Sequence, residues 1–244
     1  MDDPEDFISD EDDPRESDPD AFFLKAVGFE LLLGVLGLGL GALLSYDARQ
    51  YIPHLDSPTA IFAGIGWGVV ATIPMLIAVF ILDHMKLTGV EEVSRLTKDR
   101  LLAPMRNLTV LELVAISLCA GLGEELLFRG FLQGWIIGPL DTASPGLIFF
   151  GVFVASLAFG LVHAMTPTYF VLASAVGVYL GGITIATENL IVPIVAHALY
   201  DAVQLILALR AKPEETEETE ETEETEETEE TEETEETDSP SSDK

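Results

Sequence analysis

Two adjacent glutamates, Glu124 and Glu125, lie inside a stretch that is otherwise long and apolar enough to cross a membrane, LELVAISLCAGLGEELLFRGFLQGWIIG. Each charge near a bilayer centre costs roughly 2.5–3.5 kcal/mol on insertion scales. Met twice in succession, that cost restricts the chain to folds in which neighbouring helices enclose this segment and offer partners to its carboxylates. Candidate partners are visible in the sequence: Arg129 follows on the same segment, and two later apolar segments carry His163, His197 and Asp201.

A spanning helix needs about 20 mostly apolar residues, and six segments qualify, at roughly 23–45, 59–82, 108–137, 145–163, 168–187 and 189–210. Lipid offers no partner for backbone groups outside helices and closed barrels. The expected fold is therefore all-α, a polytopic transmembrane bundle of about six helices. The third segment exceeds the length of one span, so it either tilts or begins in the interface. Small residues recur at every fourth position, as Gly37 and Gly41, Ala60, Gly64 and Gly68, and Ala173, Gly177 and Gly181. Such rows allow close helix contact, expected here within the chain rather than between copies. Pro74 and Pro193 are expected to loosen their helices, since each removes a backbone donor.

The formal net charge of -30 belongs mainly to two tails. Residues 1–20 are acidic and poor in apolar groups, and residues 211–244 hold an uninterrupted Glu-Glu-Thr repeat from Glu214 to Thr237. Like charges three and four residues apart oppose a helix there, so both tails are expected to be disordered. Between Ala21 and Pro213 the charge is close to neutral, about -3. Residues 21–107 form a first unit of two spanning helices and a basic connection, and residues 108–210 a second that carries the ionisable segments. The first apolar run follows about 20 acidic residues rather than a short basic region, which suits a retained helix and not a cleaved signal peptide.

The basic residues are few and flank the spans, which argues against a nucleic-acid partner. The connection near 83–107 holds Lys86, Arg95, Lys98, Arg100 and Arg106, and Arg49 is the one basic residue on the opposite face. The positive-inside rule therefore predicts an integral, multi-pass membrane protein with both termini cytoplasmic. One cysteine, Cys119, excludes an intramolecular disulfide and reads as a packing residue.

Glu125 and Arg129 are four residues apart and share a helix face in the favourable order. Glu124 lies about 100° around the helix, free to face a cavity and act as a base. Phe159 precedes His163 by one turn and is expected to pack on a histidine ring. His197 and Asp201 share a face of the last helix. A carboxylate and two imidazoles converging on one point either bind a divalent metal such as zinc that activates water, or position and deprotonate water directly. Either supports amide hydrolysis. A membrane histidine also serves as a structural donor, and a Glu–Arg pair can simply hold helices together; the combination on three of the six segments favours a site. Glu30 and Glu112 are expected near helix ends, reaching the interface.

The series Glu124-Glu125-x-x-x-Arg129, Phe159-x-x-x-His163 and His197-x-x-x-Asp201, on successive apolar segments, resembles the CPBP intramembrane endopeptidases. This is the CaaX protease and bacteriocin-processing group, related to the type II CaaX prenyl endopeptidase. The likeness covers roughly residues 110–205, which makes 108–210 the expected protease core. It implies a glutamate-dependent intramembrane endopeptidase acting on a membrane-associated protein or peptide within the bilayer. By that resemblance Glu124 and His163 hold and activate water, Glu125 supports the site with Arg129, and His197 and Asp201 stand at the oxyanion-stabilising pair. Asp201 departs from the asparagine commoner at that position. The resemblance leaves open a metal or none, and whether a prenyl group is required. The competing readings are a non-proteolytic membrane scaffold or immunity-type regulator on the same fold, and a small transporter. Against the transporter, the halves show no internal repeat.

Overall fold

The computed structural model describes residues 18–210; apart from residues 18–20, the two acidic tails lie outside the described residues. Helix α1 (Pro19–Leu43) begins at Asp18, whose carboxylate accepts a bond from the Asp20 amide at 3.0 Å. Pro19 stands in the first turn, where a missing N–H costs nothing. After α2 (Pro58–His84) comes the short α3 (Thr88–Leu96), which leads into a π-helical turn, Thr97–Leu102, and a 3-10 turn, Ala103–Met105. Helix α4 (Val110–Glu125) opens on a reciprocal capping box between Thr109 and Glu112. It continues through a π-helical stretch, Leu126–Gln133, into α5 (Gly134–Ile137). The run stops at Gly138, whose φ of 69° favours glycine. Helices α6 (Pro145–Val162) and α7 (Pro167–Thr187) each start with proline behind a Ser or Thr cap, and α8 (Ile191–Arg210) completes the bundle.

The expected helical bundle is thus what the chain forms, with no strand among the described residues. Helices α1, α2, α6, α7 and α8 are each long and apolar enough to cross a membrane. The remaining expected span is the helical run of 110–137. It carries Glu112, Glu124, Glu125 and Arg129, and is divided by the π-helical stretch. The protein is an integral membrane protein that crosses the bilayer several times. Its packing agrees with lipid as the solvent: on α1 the buried positions are Gly34, Gly37 and Gly41, while Leu24, Phe29, Leu32 and Val35 face outward.

Helix α4 lies between α1 and α8; α2 packs on the far side of α8, and the α6–α7 hairpin packs against the π-helical stretch and α8. The small-residue rows serve these contacts. A methyl group added at Gly37 would stand 2.8 Å from the Leu127 Cα, one at Gly68 would meet the Val195 side chain and the Val192 carbonyl, and one at Gly177 would stand 2.9 Å from the Ser156 Cα. Pro74 lies within α2, and Tyr179 donates to the nearby Ala71 carbonyl at 2.9 Å. Pro193 corrects the sequence reading. It sits in the first turn of α8, where no backbone bond is lost, so it leaves the helix intact. Asn189 holds that helix start, accepting from the Ile191 amide and donating to the Ala60 carbonyl on α2. On the connection between α1 and α2, Arg49 is clasped by Asp47 at 3.0 Å, and the guanidinium holds that carboxyl below its usual range.

Candidate active site

All six residues singled out in the sequence come together around the end of α4. Glu125 and Arg129 form an ion pair at 2.6 Å, and both are essentially buried. Arg129 has further partners. It donates to the Gly177 carbonyl at 3.3 Å, and its guanidinium lies 4.5 Å from the centroid of the Phe159 ring. One turn on, Gln133 donates to the Gly181 carbonyl at 3.2 Å. Glu125, Arg129 and Gln133 therefore make a buried polar row whose last two members hold α7 at its glycines, where the absence of side chains exposes the carbonyls.

Glu125 also faces α8. His197 Nδ1 lies 2.9 Å from Glu125 Oε1, and His197 Nε2 lies 3.4 Å from Asp201 Oδ2. The expected contact between His197 and Asp201 is present, but the shorter contact is to Glu125, so each ring nitrogen faces a carboxylate. Asp201 is partly exposed, whereas His197 and Glu125 are buried.

Glu124 points differently, as the helix geometry requires. Its Oε2 is 3.7 Å from His163 Nε2 and, although shielded from solvent, has no hydrogen-bond partner. His163 caps the C-terminus of α6, and its Nδ1 lies 2.8 Å from the Phe159 carbonyl. A carbonyl only accepts, so Nδ1 carries the hydrogen and Nε2 of the neutral ring presents a lone pair to Glu124. At 3.7 Å the two atoms are too far apart for a direct bond, and with the ring neutral and the carboxyl ionised both are acceptors. A water lying to one side of the pair could donate to both.

Phe159 organises these groups. Its ring centroid lies 4.5 Å from that of His163, and it meets the rings of Phe128 and His197 edge-on at 5.3 and 5.8 Å. The packing expected between Phe159 and a histidine thus involves both histidines. Glu112 behaves as expected and stays in its cap at the start of α4. Glu30 does not. Its Oε2 is shielded and unpartnered, and its backbone carbonyl meets Gly123 of α4, next to Glu124. The sequence reading began the first span at residue 23. The helix begins at Pro19, which places Glu30 three turns in; the signal for the earlier start was the Asp18-Pro19 cap.

A structural zinc site has four ligands and a catalytic one ordinarily three from the protein. Among the described residues no three His, Cys, Asp or Glu side chains are grouped to hold an ion. His197, the natural third ligand, has both nitrogens turned to carboxylates. The donor set does not fit a metal centre.

A bundle of lipid-facing helices around a buried cluster of Glu, Arg and His defines a membrane protein with an internal ionisable site. Residues 106–203 match the family model described as type II CAAX prenyl endopeptidase Rce1-like, so the resemblance to the CaaX protease group drawn from the three motifs holds over this stretch. That family is one of membrane proteases. No curated protein and no solved structure matches the chain.

Proposed function

We propose that this protein is an intramembrane endopeptidase in which Glu124, with His163, activates a water molecule to hydrolyse a peptide bond of a membrane-associated protein or peptide. The observation that carries the reading is the buried, unpartnered Oε2 of Glu124 opposite the lone pair of His163 Nε2. A water beside the pair gives one hydrogen to each acceptor and keeps an oxygen lone pair for the substrate carbonyl. On attack the C–O bond forms, the carbonyl electrons move to oxygen, and the water proton passes to Glu124. When the tetrahedral intermediate collapses, the C–N bond breaks and Glu124 returns that proton to the leaving nitrogen.

The developing oxyanion needs a donor, and His197 supplies it. Its Nε2 makes the longer, 3.4 Å contact to the partly exposed Asp201, and is the nitrogen that can turn to a substrate. Glu125 and Arg129 hold His197 and α7 in place without touching the reacting atoms. In this reading residues 108–210 form the protease core, and α1 and α2 are additions to it. Both termini face the cytoplasm, which puts His163 and the start of α7 at the cytoplasmic end of the bundle.

The test compares protein N- and C-termini across the membrane proteome of cells carrying the wild-type protein or Glu124→Gln, at equal expression. New termini that need the wild-type residue are the expected result. Identical termini in the two cell types would leave a scaffold or regulator as the better description.

A further inference from the structure

Helix α1 lies outside the matched residues, yet it brings a carboxylate to the site. The contact that does so is backbone against backbone: a methyl at Gly123 would fall on the Glu30 carbonyl, and one at Gly34 would stand 3.2 Å from the Gly123 Cα. Glu30 is thereby held beside the turn that carries Glu124. Both have an Oε2 shielded from solvent with no partner, and Glu124 is 7% exposed.

Donors can be counted against these acceptors. A single water has two hydrogens, which Glu124 and His163 take. Glu30 Oε2, shielded and without a protein partner among the described residues, is a further acceptor that the site presents. What enters the site is a peptide, and a peptide must leave its helix to be cut. Within a membrane the N–H groups so freed cost several kcal/mol each unless the protein accepts their bonds.

We propose that Glu30 is a substrate-binding residue of this site, its carboxylate accepting a hydrogen bond from a backbone N–H of the bound peptide. The proposal rests on the peptidase reading above. It also explains why a partly buried acidic side chain stands three turns into a helix whose buried positions are glycines.

The experiment uses full-length Glu124→Gln protein in detergent or nanodiscs, which binds without cutting. The probe is a peptide spanning a cleavage site found by the comparison of termini, together with esters of it in which one backbone N–H at a time is replaced by oxygen. With Glu30 present, one ester should bind about 10-fold more weakly or worse, the effect of losing a hydrogen bond to a charged acceptor. In Glu124→Gln/Glu30→Leu the parent peptide should be weakened by a similar factor, and that ester should cost nothing further. Glu124→Gln/Glu30→Gln keeps an acceptor oxygen and should fall between, which provides a variant of nearly native shape if the leucine protein folds poorly. Ester effects that are the same with and without Glu30 overturn the proposal while leaving the peptidase intact. If no termini distinguish wild type from Glu124→Gln, the peptidase reading fails and takes this inference with it.

Discussion

The backbone-to-backbone contact of α1 with α4 at Gly123 offers a graded test of how the site is assembled. In Gly123→Ala the new methyl would collide with the Glu30 carbonyl oxygen, with the carbonyl carbon at 2.9 Å and the Gly34 nitrogen at 3.4 Å. Every one of these atoms is backbone, so no side chain can rotate aside and α1 has to lift from α4. Overpacking of this kind costs typically about 1–3 kcal/mol. Glycine-to-alanine exchange also brings a gain of up to about 1 kcal/mol in helix propensity, so the proper reference is a helical glycine with free space, here taken from α1, the helix that Gly123 meets. Gly28 and Gly39 have nothing within 4 Å, and alanine there should leave stability unchanged or slightly raised. Relative to Gly39→Ala, Gly123→Ala should shift the folding equilibrium by roughly 5- to 150-fold. Gly37→Ala, against the Leu127 Cα at 2.8 Å, should fall near it, and Gly34→Ala, at 3.2 Å, closer to the reference. Denaturing-detergent titration of the purified proteins reads this order, with reaction of Cys119, the single cysteine, reporting unfolding. The lift of α1 also withdraws Glu30, so Gly123→Ala should raise the apparent KM for a cleaved peptide. Equal stability of Gly123→Ala and Gly39→Ala would refute the argument that this contact seats α1.

Three further outcomes are expected. In a Cys119→Ser background, Thr142→Cys should react with an impermeant thiol reagent applied outside the cell and Ser94→Cys should not; the reverse pattern would overturn the assigned orientation. Glu125→Gln should lose about 3–5 kcal/mol of stability because it leaves the Arg129 charge buried without its partner. Glu125→Gln combined with Arg129→Met should recover folded protein, as judged by size-exclusion profiles, and a double variant no better than the single would dismiss charge burial as the cause. Asp201→Asn should keep measurable turnover while Asp201→Ala loses more, since the amide still meets His197 Nε2 and a methyl does not; equal losses would show that this contact does not orient the ring.

Much of the architecture is local and was legible in the residues. Twenty-residue apolar runs depend on neighbours in sequence alone, so the long helices of the bundle, unlike the short α3, could be read directly to within a few residues at each end. The same holds for the pairs Glu125–Arg129 and His197–Asp201, because four-residue spacing puts both members of each on one face whatever the rest of the chain does. The misreadings were of position within a helix. Pro193 lies in a first turn and not mid-span, and Glu30 lies deep in α1 because that helix starts earlier than hydropathy suggests. What only the tertiary structure decided is which faces meet. The 2.9 Å contact from Glu125 to His197, the approach of Glu124 to His163 and the arrival of Glu30 each join residues far apart in sequence. Their existence depends on helix rotations of a few tens of degrees and on how closely two backbones can approach. Glycine rows announce that a close approach is possible, but a row of absent side chains carries no address for its partner. The partner is chosen by the collective packing of the bundle.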